Sequence, residues 1–454
     1  MIIETMRKVR GDISQKLIFF GLAVLMFLLP IPQLVVSYAN RGDVQTTILR
    51  LFLIYFTVIF AIEAANKRID FRKRAVVGIC LLGLAVVGLC SVAISGNWVM
   101  ALYGPRGREG WFTLMAYYMI FFVTTLLHEK KYCRWLLHLF LIFGSIIAVL
   151  GFLQFAEICE FSPYFPGMAV APMHNPNFYG AFAVLFTGVA IGGFFVYEEC
   201  VKETHLFGKQ NRWIWYIFVL LGYSTCIFAG SSLVYVGLIM MFLLYLVLEI
   251  VTKRRRFLSF AVLLAGLALL VFIYDMMQGG NVTREITSVG NQIKEEGTVL
   301  GDSVGTSRMY TWKRTLKLLP EYFWFGCGIE QLGIISQTTY EAEELFPFDK
   351  AHNEYLNLWV TEGTFAILFY LAFLFALFLP RMLRFVKEQK EAPENVTRDV
   401  LSKIALFSFF GYIAQAFFNI SVIQVAPYFW MICGFLFREG TGQKKILKVK
   451  RERD

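Results

Sequence analysis

Lys253 to Gly280 read KRRRFLSFAVLLAGLALLVFIYDMMQGG: four cations, an apolar run of about 20 residues, then a polar stretch opening on Gly279-Gly280. At the helical rise of 1.5 Å per residue such a run matches the roughly 30 Å hydrocarbon layer of a bilayer. The cations before it mark one side of that layer. The same grammar recurs along the chain. Of 454 residues, 57% are hydrophobic and 17% charged, against roughly a quarter charged in soluble domains. The mean hydropathy is +0.59. The fold class expected is all-α and polytopic in a membrane.

Twelve spans are predicted, near 18–38, 46–65, 75–95, 111–127, 134–156, 177–197, 213–229, 232–251, 257–275, 355–379, 400–418 and 423–437. A net charge of +10 raises nucleic acid as a partner, but most Lys and Arg sit in alternate short loops, where they set orientation. One side carries Lys67, Arg68 and Arg72 to Arg74, then Lys130, Lys131 and Arg134, then Lys253 to Arg256 and the tail from Lys444. The other has Arg41, Arg106, Arg108 and one long loop. By the positive-inside rule both termini are cytoplasmic and the long loop is outside. The first apolar run lacks a small-residue cleavage site and reads as retained. The organisation expected is helices 1–9 over residues 1–275, an outer loop over 276–354, helices 10–12 over 355–437 and a basic tail over 438–454.

The loop divides into three. Gln278 to Gly305 is polar and expected to be irregular. Thr306 or Ser307 can cap a helix running to Leu319, which Pro320 stops. On it Met309, Trp312, Leu316 and Leu319 make an apolar stripe, beside Arg308, Lys313, Arg314 and Lys317, a pattern suited to a membrane interface. Glu341 to Phe348 is acidic. Of the eight Cys, only Cys159 and Cys327 fall outside, either as a disulfide or as two unpaired thiols.

His352 stands at the mouth of span 10, ahead of Asn353, Tyr355 and Trp359. An outer His beside cations is held neutral, the state that accepts a proton. Taken as the start of a helix, it would share a face with Tyr355, Leu356 and Trp359. Its cationic company is Arg106, Arg108, Arg308 and Arg50. Arg forks onto phosphate; for Arg106 and Arg108 contact with lipid headgroups is the competing reading. Glu362 lies about 15 Å deeper at helical rise and must pair or line a wet cavity. Glu63, near the inner end of span 2, can reach the cytoplasm. There is no Asp-x-Asp pair, so metal-free chemistry is expected, and no nucleotide loop, so ATP-driven transport is not. Neither is there an internal repeat of the kind transporters show.

Ser307-Arg308-x-x-x-Trp312, Gly326-x-Gly328 and His352-Asn353-x-x-Leu356-x-x-x-x-x-Glu362-Gly363 together resemble the O-antigen ligase and polymerase superfamily. Arg106-Gly107-x-x-Gly110, Gly151-Phe152-x-Gln154 and Asn175-Pro176-Asn177-x-x-Gly180 resemble it further upstream. The resemblance implies a twelve-span GT-C-type enzyme of the bacterial cytoplasmic membrane, without cofactor. It would move a saccharide from a polyprenyl-pyrophosphate carrier to a hydroxyl on a saccharide, lipid or protein acceptor. It also implies that His352 deprotonates or orients the acceptor, Arg308 stabilises the pyrophosphate and Arg106 contacts phosphate more weakly. Arg108, Arg50, Arg314, Trp312, Asn353, Tyr355 and Glu362 complete the expected binding set. Family members usually carry Gly-Ser-Arg between spans 7 and 8; here Gly230-Ser231-Ser232 stands instead. Arg106, Arg108 or Arg50 substitutes for the missing cation, or donor binding differs. The alternatives to the transferase are a flippase of lipid-linked oligosaccharides and a non-catalytic polysaccharide-binding membrane protein.

Overall fold

The structure, a computed structural model, describes residues 2–438 except 38–39, 106–107, 162–164, 166–167, 204–211, 253–256, 278–286, 288–289, 296, 299–300, 303–304, 306, 341–346 and 391–399. Among the described residues it is helical, without strands. Nine stretches of the described residues are long and apolar enough to cross a membrane. Shorter apolar helices over Trp111–Leu126, Arg212–Phe228 and Ala426–Phe437 hold the other three predicted positions. The protein is an all-α polytopic membrane protein.

The helices are α1 (Ile2–Leu28), α2 (Ile31–Val35), α3 (Arg41–Ala65), α4 (Ala75–Ile94), α5 (Trp98–Tyr103), α6 (Trp111–Leu126), α7 (Lys130–Phe155), α8 (Pro176–Glu203), α9 (Arg212–Phe228), α10 (Leu233–Thr252) and α11 (Phe257–Met277). After the excursion come α12 (Arg308–Leu318), α13 (Leu332–Tyr340), α14 (Glu354–Glu362), α15 (Thr364–Lys390), α16 (Val400–Gln415) and α17 (Ala426–Phe437), with a 3-10 turn at Ala416–Phe418.

The centre of the bundle is α8, whose residues 179–196 are all buried, packed on α16 and α9. Small residues allow the approach to α16. A Cβ on Gly188 would meet the Ser408 Cα at 2.3 Å, and one on Gly192 the Ile404 carbonyl oxygen at 2.7 Å. Ser408 Oγ donates to the Leu185 carbonyl at 2.7 Å, tying the two helices. Peripheral helices instead show lipid-facing apolar ridges, such as Leu51, Ile54, Val58 and Ile62 on α3. Glu63 is buried and paired with Arg68 at 2.8 Å. Cys159 and Cys327 are both free thiols.

The excursion has its own core, in which Leu318, Leu332, Tyr340, Ala351, Leu356 and Val360 are buried together. Residues 290–295 are helical where irregular chain was expected. The side of α12 turned to the protein is Thr311, Thr315 and Leu318; of the predicted stripe, Leu316 is 51% exposed while Leu319 is buried. α12 packs on α14, and its small Thr side chains turn their hydroxyls back to their own helix, Thr315 Oγ1 donating to the Thr311 carbonyl at 2.8 Å. Ser307 sits left-handed at φ 63 and makes no side-chain cap; Thr306 lies outside the described residues.

Predicted span 10 is not one helix. It breaks at Gly363, φ 88, between α14 and α15. The break is filled from a distance: Cys327 N donates to the Val360 carbonyl at 2.9 Å and Gly328 N to that of Thr361 at 3.0 Å. Thr364 N donates to the Phe323 carbonyl at 2.8 Å. These bonds satisfy groups that a helix end leaves open. A Cβ on Gly363 would lie 2.1 Å from the Trp324 carbonyl oxygen, and one on Gly326 2.1 Å from the Thr361 carbonyl carbon. Gly363→Ala is expected to destabilise by about 2–4 kcal/mol, combining left-handed strain with overlap. Gly297, φ 67, meets nothing within 4 Å, so Gly297→Ala isolates the backbone contribution. Thermal unfolding in detergent should separate the two variants, and equal midpoints would remove this account of the break.

Candidate functional site

Excursion and bundle meet around a cavity of about 1330 Å³, lined among others by Arg41, Arg108, Glu109, His174, Glu330, Lys350 and His352. His352 is not helical. It takes φ 49, between two side-chain clamps. Asn357 Oδ1 accepts from Ala351 N at 3.1 Å, and Asn353 Oδ1 caps α14 by accepting from Leu356 N at 3.0 Å. The helical face proposed for His352 with Tyr355 and Trp359 therefore does not exist. Tyr355 donates to the Ile413 carbonyl at 2.6 Å and packs on Phe417 at 4.6 Å. Trp359 Nε1 donates to Thr364 Oγ1 at 2.9 Å, beside the break.

Positive φ outside glycine is uncommon and gathers at functional sites. His174, Glu330 and His352 line the cavity with φ of 55, 61 and 49, and Ser307, φ 63, precedes Arg308.

Arg308 is half-buried. Its Nε donates to the Phe418 carbonyl at 3.1 Å and its Nη1 to that of Gly305 at 3.2 Å. Burial pulls its pKa down, yet guanidinium remains charged at any working pH. Burial also lowers the pKa of His352, the Arg308 and Lys350 charges add to that, and Asp349 opposes it. The imidazole is thus neutral near pH 7.

The other sequence-nominated residues divide. Arg108 lines the cavity and pairs with Asp349 at 2.5 Å. Arg106 lies outside the described residues. Arg50 bonds the Tyr103 carbonyl at 2.5 Å and stacks over its ring at 5.2 Å, pinning α5 to α3. Arg314 pairs with Asp302 at 3.3 Å and covers Tyr310 at 3.6 Å. Trp312 rests on Phe418 at 5.7 Å. None of these last three, nor Arg308 itself, is among the residues lining the cavity; Arg308 acts on it through its charge on His352. Glu362 faces a smaller cavity of about 80 Å³ with Glu109, Glu354 and Tyr117. It is 4% exposed and its Oε2 has no hydrogen-bond partner among the described residues.

Sequence reasoning missed three lining groups. Lys350, partly buried, pairs with the buried Glu330 at 2.5 Å. Arg41 begins α3 and, after burial, lowers the pKa of His174 against a hydrogen bond to the Gln33 carbonyl. Glu109 accepts from Tyr117 and Ser421, both at 2.8 Å, and burial raises its pKa. Glu109 and Ser421 line both cavities. The usable signal was position: Lys350 stands two residues from His352, and Arg41 and Glu109 sit at the outer ends of spans.

Residues 216–371 match the family model described as O-antigen ligase. Over these residues the chain is similar to the O-antigen ligase family. No curated protein matches the chain. The O-antigen ligase match runs from α9 into α15 and takes in Arg308, the Gly326 to Gly328 turn, His352 and the break at Gly363. The Gly230-Ser231-Ser232 turn falls inside it. There Ser231 Oγ donates to Asn177 Oδ1 at 2.6 Å, and Asn177 lines the large cavity. The site of the missing Arg thus adjoins the cavity wall.

Proposed function

We propose that the protein is a membrane glycosyltransferase of the O-antigen ligase or surface-polysaccharide polymerase type. It transfers a saccharide from a polyprenyl-pyrophosphate carrier to an acceptor hydroxyl, at the extracytoplasmic face of the bacterial cytoplasmic membrane. The observation that carries this is His352: an imidazole lining a large cavity, its pKa lowered by burial and by the charge of a half-buried Arg308, inside the O-antigen ligase segment.

The acceptor oxygen attacks the anomeric carbon while its proton passes to His352. The bond from that carbon to the pyrophosphate oxygen breaks, and the polyprenyl pyrophosphate leaves with its electron pair. Charge grows on the leaving group, where fixed cations are most effective. Arg308 supplies one. Lys350 and Arg108 line the cavity beside His352 and take over from the Arg absent after Ser231. Direct displacement inverts the anomeric centre. No metal is required in this scheme, since the side-chain cations meet the leaving-group charge.

The test is reconstituted transfer with a polyprenyl-pyrophosphate saccharide, read by release of polyprenyl pyrophosphate and by NMR of the product anomer. Inversion that persists in EDTA is expected. Retention would refute direct displacement, and loss of activity in EDTA would refute the metal-free scheme. Absence of any transfer, with the lipid instead moved across the bilayer, would favour the flippase.

A further inference from the structure

The catalytic groups account for only part of the large cavity. Elsewhere its lining sets six amides among apolar side chains such as Met100, Met173 and Val422: Gln33 on α2, Asn40 before α3, Asn175 and Asn177 at the start of α8, and Asn419 and Gln424 before α17. All six lie outside residues 216–371, the O-antigen ligase match. They come from four separate segments that the fold brings together.

The amides are held from behind. Gln45, fully buried on α3, donates to the Leu29 carbonyl at 2.8 Å. Its Oε1 accepts from Gln33 Nε2 at 2.5 Å and from Gln424 Nε2 at 3.4 Å. On the other side Asn419 Nδ2 donates to the Asn177 carbonyl at 3.2 Å, and Asn175 Oδ1 accepts from Asn177 N at 2.8 Å. An amide can donate two hydrogen bonds and accept two, so each tethered group keeps capacity to spare. One case is explicit. Gln33 is 5% exposed and lines the cavity, yet its Oε1 has no partner among the described residues. A buried carbonyl oxygen left unpaired is costly; it is shielded from the cavity as it stands, so it meets a ligand's donor only when the Gln33 side chain turns.

The donor's chemistry follows from the wall. Its formal charges, Arg41 and Asp43, are of opposite sign, so the surface does not select an ion. The aromatic rings of Phe165 and Phe178 add apolar faces. Fixed neutral donors and acceptors beside flat apolar surface suit a ring that carries hydroxyl or acetamido groups on its edge and C–H bonds on its face. We infer that this amide wall is a recognition subsite for an uncharged sugar ring, and that it decides which saccharide the enzyme admits. The inference rests on the transferase reading above and adds to it the place and chemistry of saccharide selection.

The experiment uses the full chain in lipid nanodiscs, with saturation-transfer NMR on four soluble probes: glucose, N-acetylglucosamine, glucuronate and inorganic pyrophosphate. One or both neutral sugars are expected to bind more tightly than glucuronate. Gln33→Leu removes the amide at similar volume and should weaken neutral-sugar binding about tenfold, the scale of one hydrogen bond, while leaving pyrophosphate binding unchanged. Gln424→Leu tests the same wall from another segment, should Gln33→Leu fail to fold. His352→Ala should keep the sugar affinity. Glucose or N-acetylglucosamine linked through its anomeric carbon to a diphosphate assigns the source. A tenfold Gln33→Leu effect on that probe places the donor saccharide at the wall, and the effect on free sugar alone places the acceptor there. Preference for glucuronate, or undiminished neutral-sugar binding in both Leu variants, overturns the inference. Either result leaves the transferase standing if wild-type protein still transfers saccharide. Sugar binding without transfer would sink the transferase and spare the subsite.

Discussion

Arg308→Ala is expected to lower saccharide transfer by roughly 10²–10³-fold, the usual loss when one preorganised group facing developing charge is removed. The expectation comes from how the side chain is held. The carbonyls of Phe418 and Gly305 each accept one of its N–H groups, so the guanidinium plane is set before substrate arrives. The backbone beneath it is also fixed, because Ser307 turns left-handed immediately before α12. Lys has neither the planar fork nor the reach to hold two carbonyls and a phosphate together. Arg308→Lys should therefore remain at least about tenfold impaired. A second readout separates chemistry from folding. The Arg308 charge helps to depress the His352 pKa, so Arg308→Ala should move the acid limb of kcat/KM to higher pH, while Arg308→Lys leaves it near its wild-type place. A well-folded Arg308→Ala protein with wild-type turnover would remove Arg308 from the mechanism.

Sequence exposed the bundle and hid the cavity, for physical reasons. A chain in lipid must satisfy its own backbone within each span, so every crossing is announced by a local apolar run, even where the helix is as short as Ala426–Phe437. The break at Gly363 is not local. It depends on Cys327 and Gly328 donating to Val360 and Thr361, and a lone Gly in an apolar run does not disclose a partner more than thirty residues away. Cations posed the same difficulty. Arg50, Arg308 and Arg314 all stand at span ends or in the excursion, equivalent in one dimension. Their neighbours decide: the Tyr103 carbonyl and ring take Arg50, Asp302 and Tyr310 take Arg314, and the Phe418 and Gly305 carbonyls hold Arg308 where its charge acts on His352. His352 was readable as a chemical type, but its left-handed backbone was not, because the clamps come from Asn353 and Asn357 side chains that a helix pattern treats as ordinary polar positions. The amide wall was least visible. Asn and Gln near helix ends pass for solvated caps until the tertiary contacts through Gln45 are seen.

His352→Ala carries the other large expectation, a loss of about 10²–10⁴-fold in transfer, the range for a positioned proton acceptor. Its pH dependence is the sharper measurement. The free base must be neutral, so activity requires a pH above the His352 pKa. That pKa lies below the ordinary 6.5 because burial disfavours the imidazolium, and the Arg308 and Lys350 charges disfavour it further. Transfer should be level across neutral pH and fall as the pH drops through a midpoint under 6.5. Asp349 acts in the opposite sense. Asp349→Asn should therefore lower the midpoint further and widen the active range toward acid. It should also release Arg108 from its ion pair, a change that leaves the sign of the pH shift intact because any added cationic field again favours neutral imidazole. His352→Ala should abolish this limb altogether. An acid limb that survives in His352→Ala, or one centred above 6.5 in the wild type, would mean that another group takes the proton. Glu109 is then the nearest alternative in chemical type. It is a carboxylate on the same cavity wall whose pKa is raised by burial, and Glu109→Gln would then be the substitution that removes the limb.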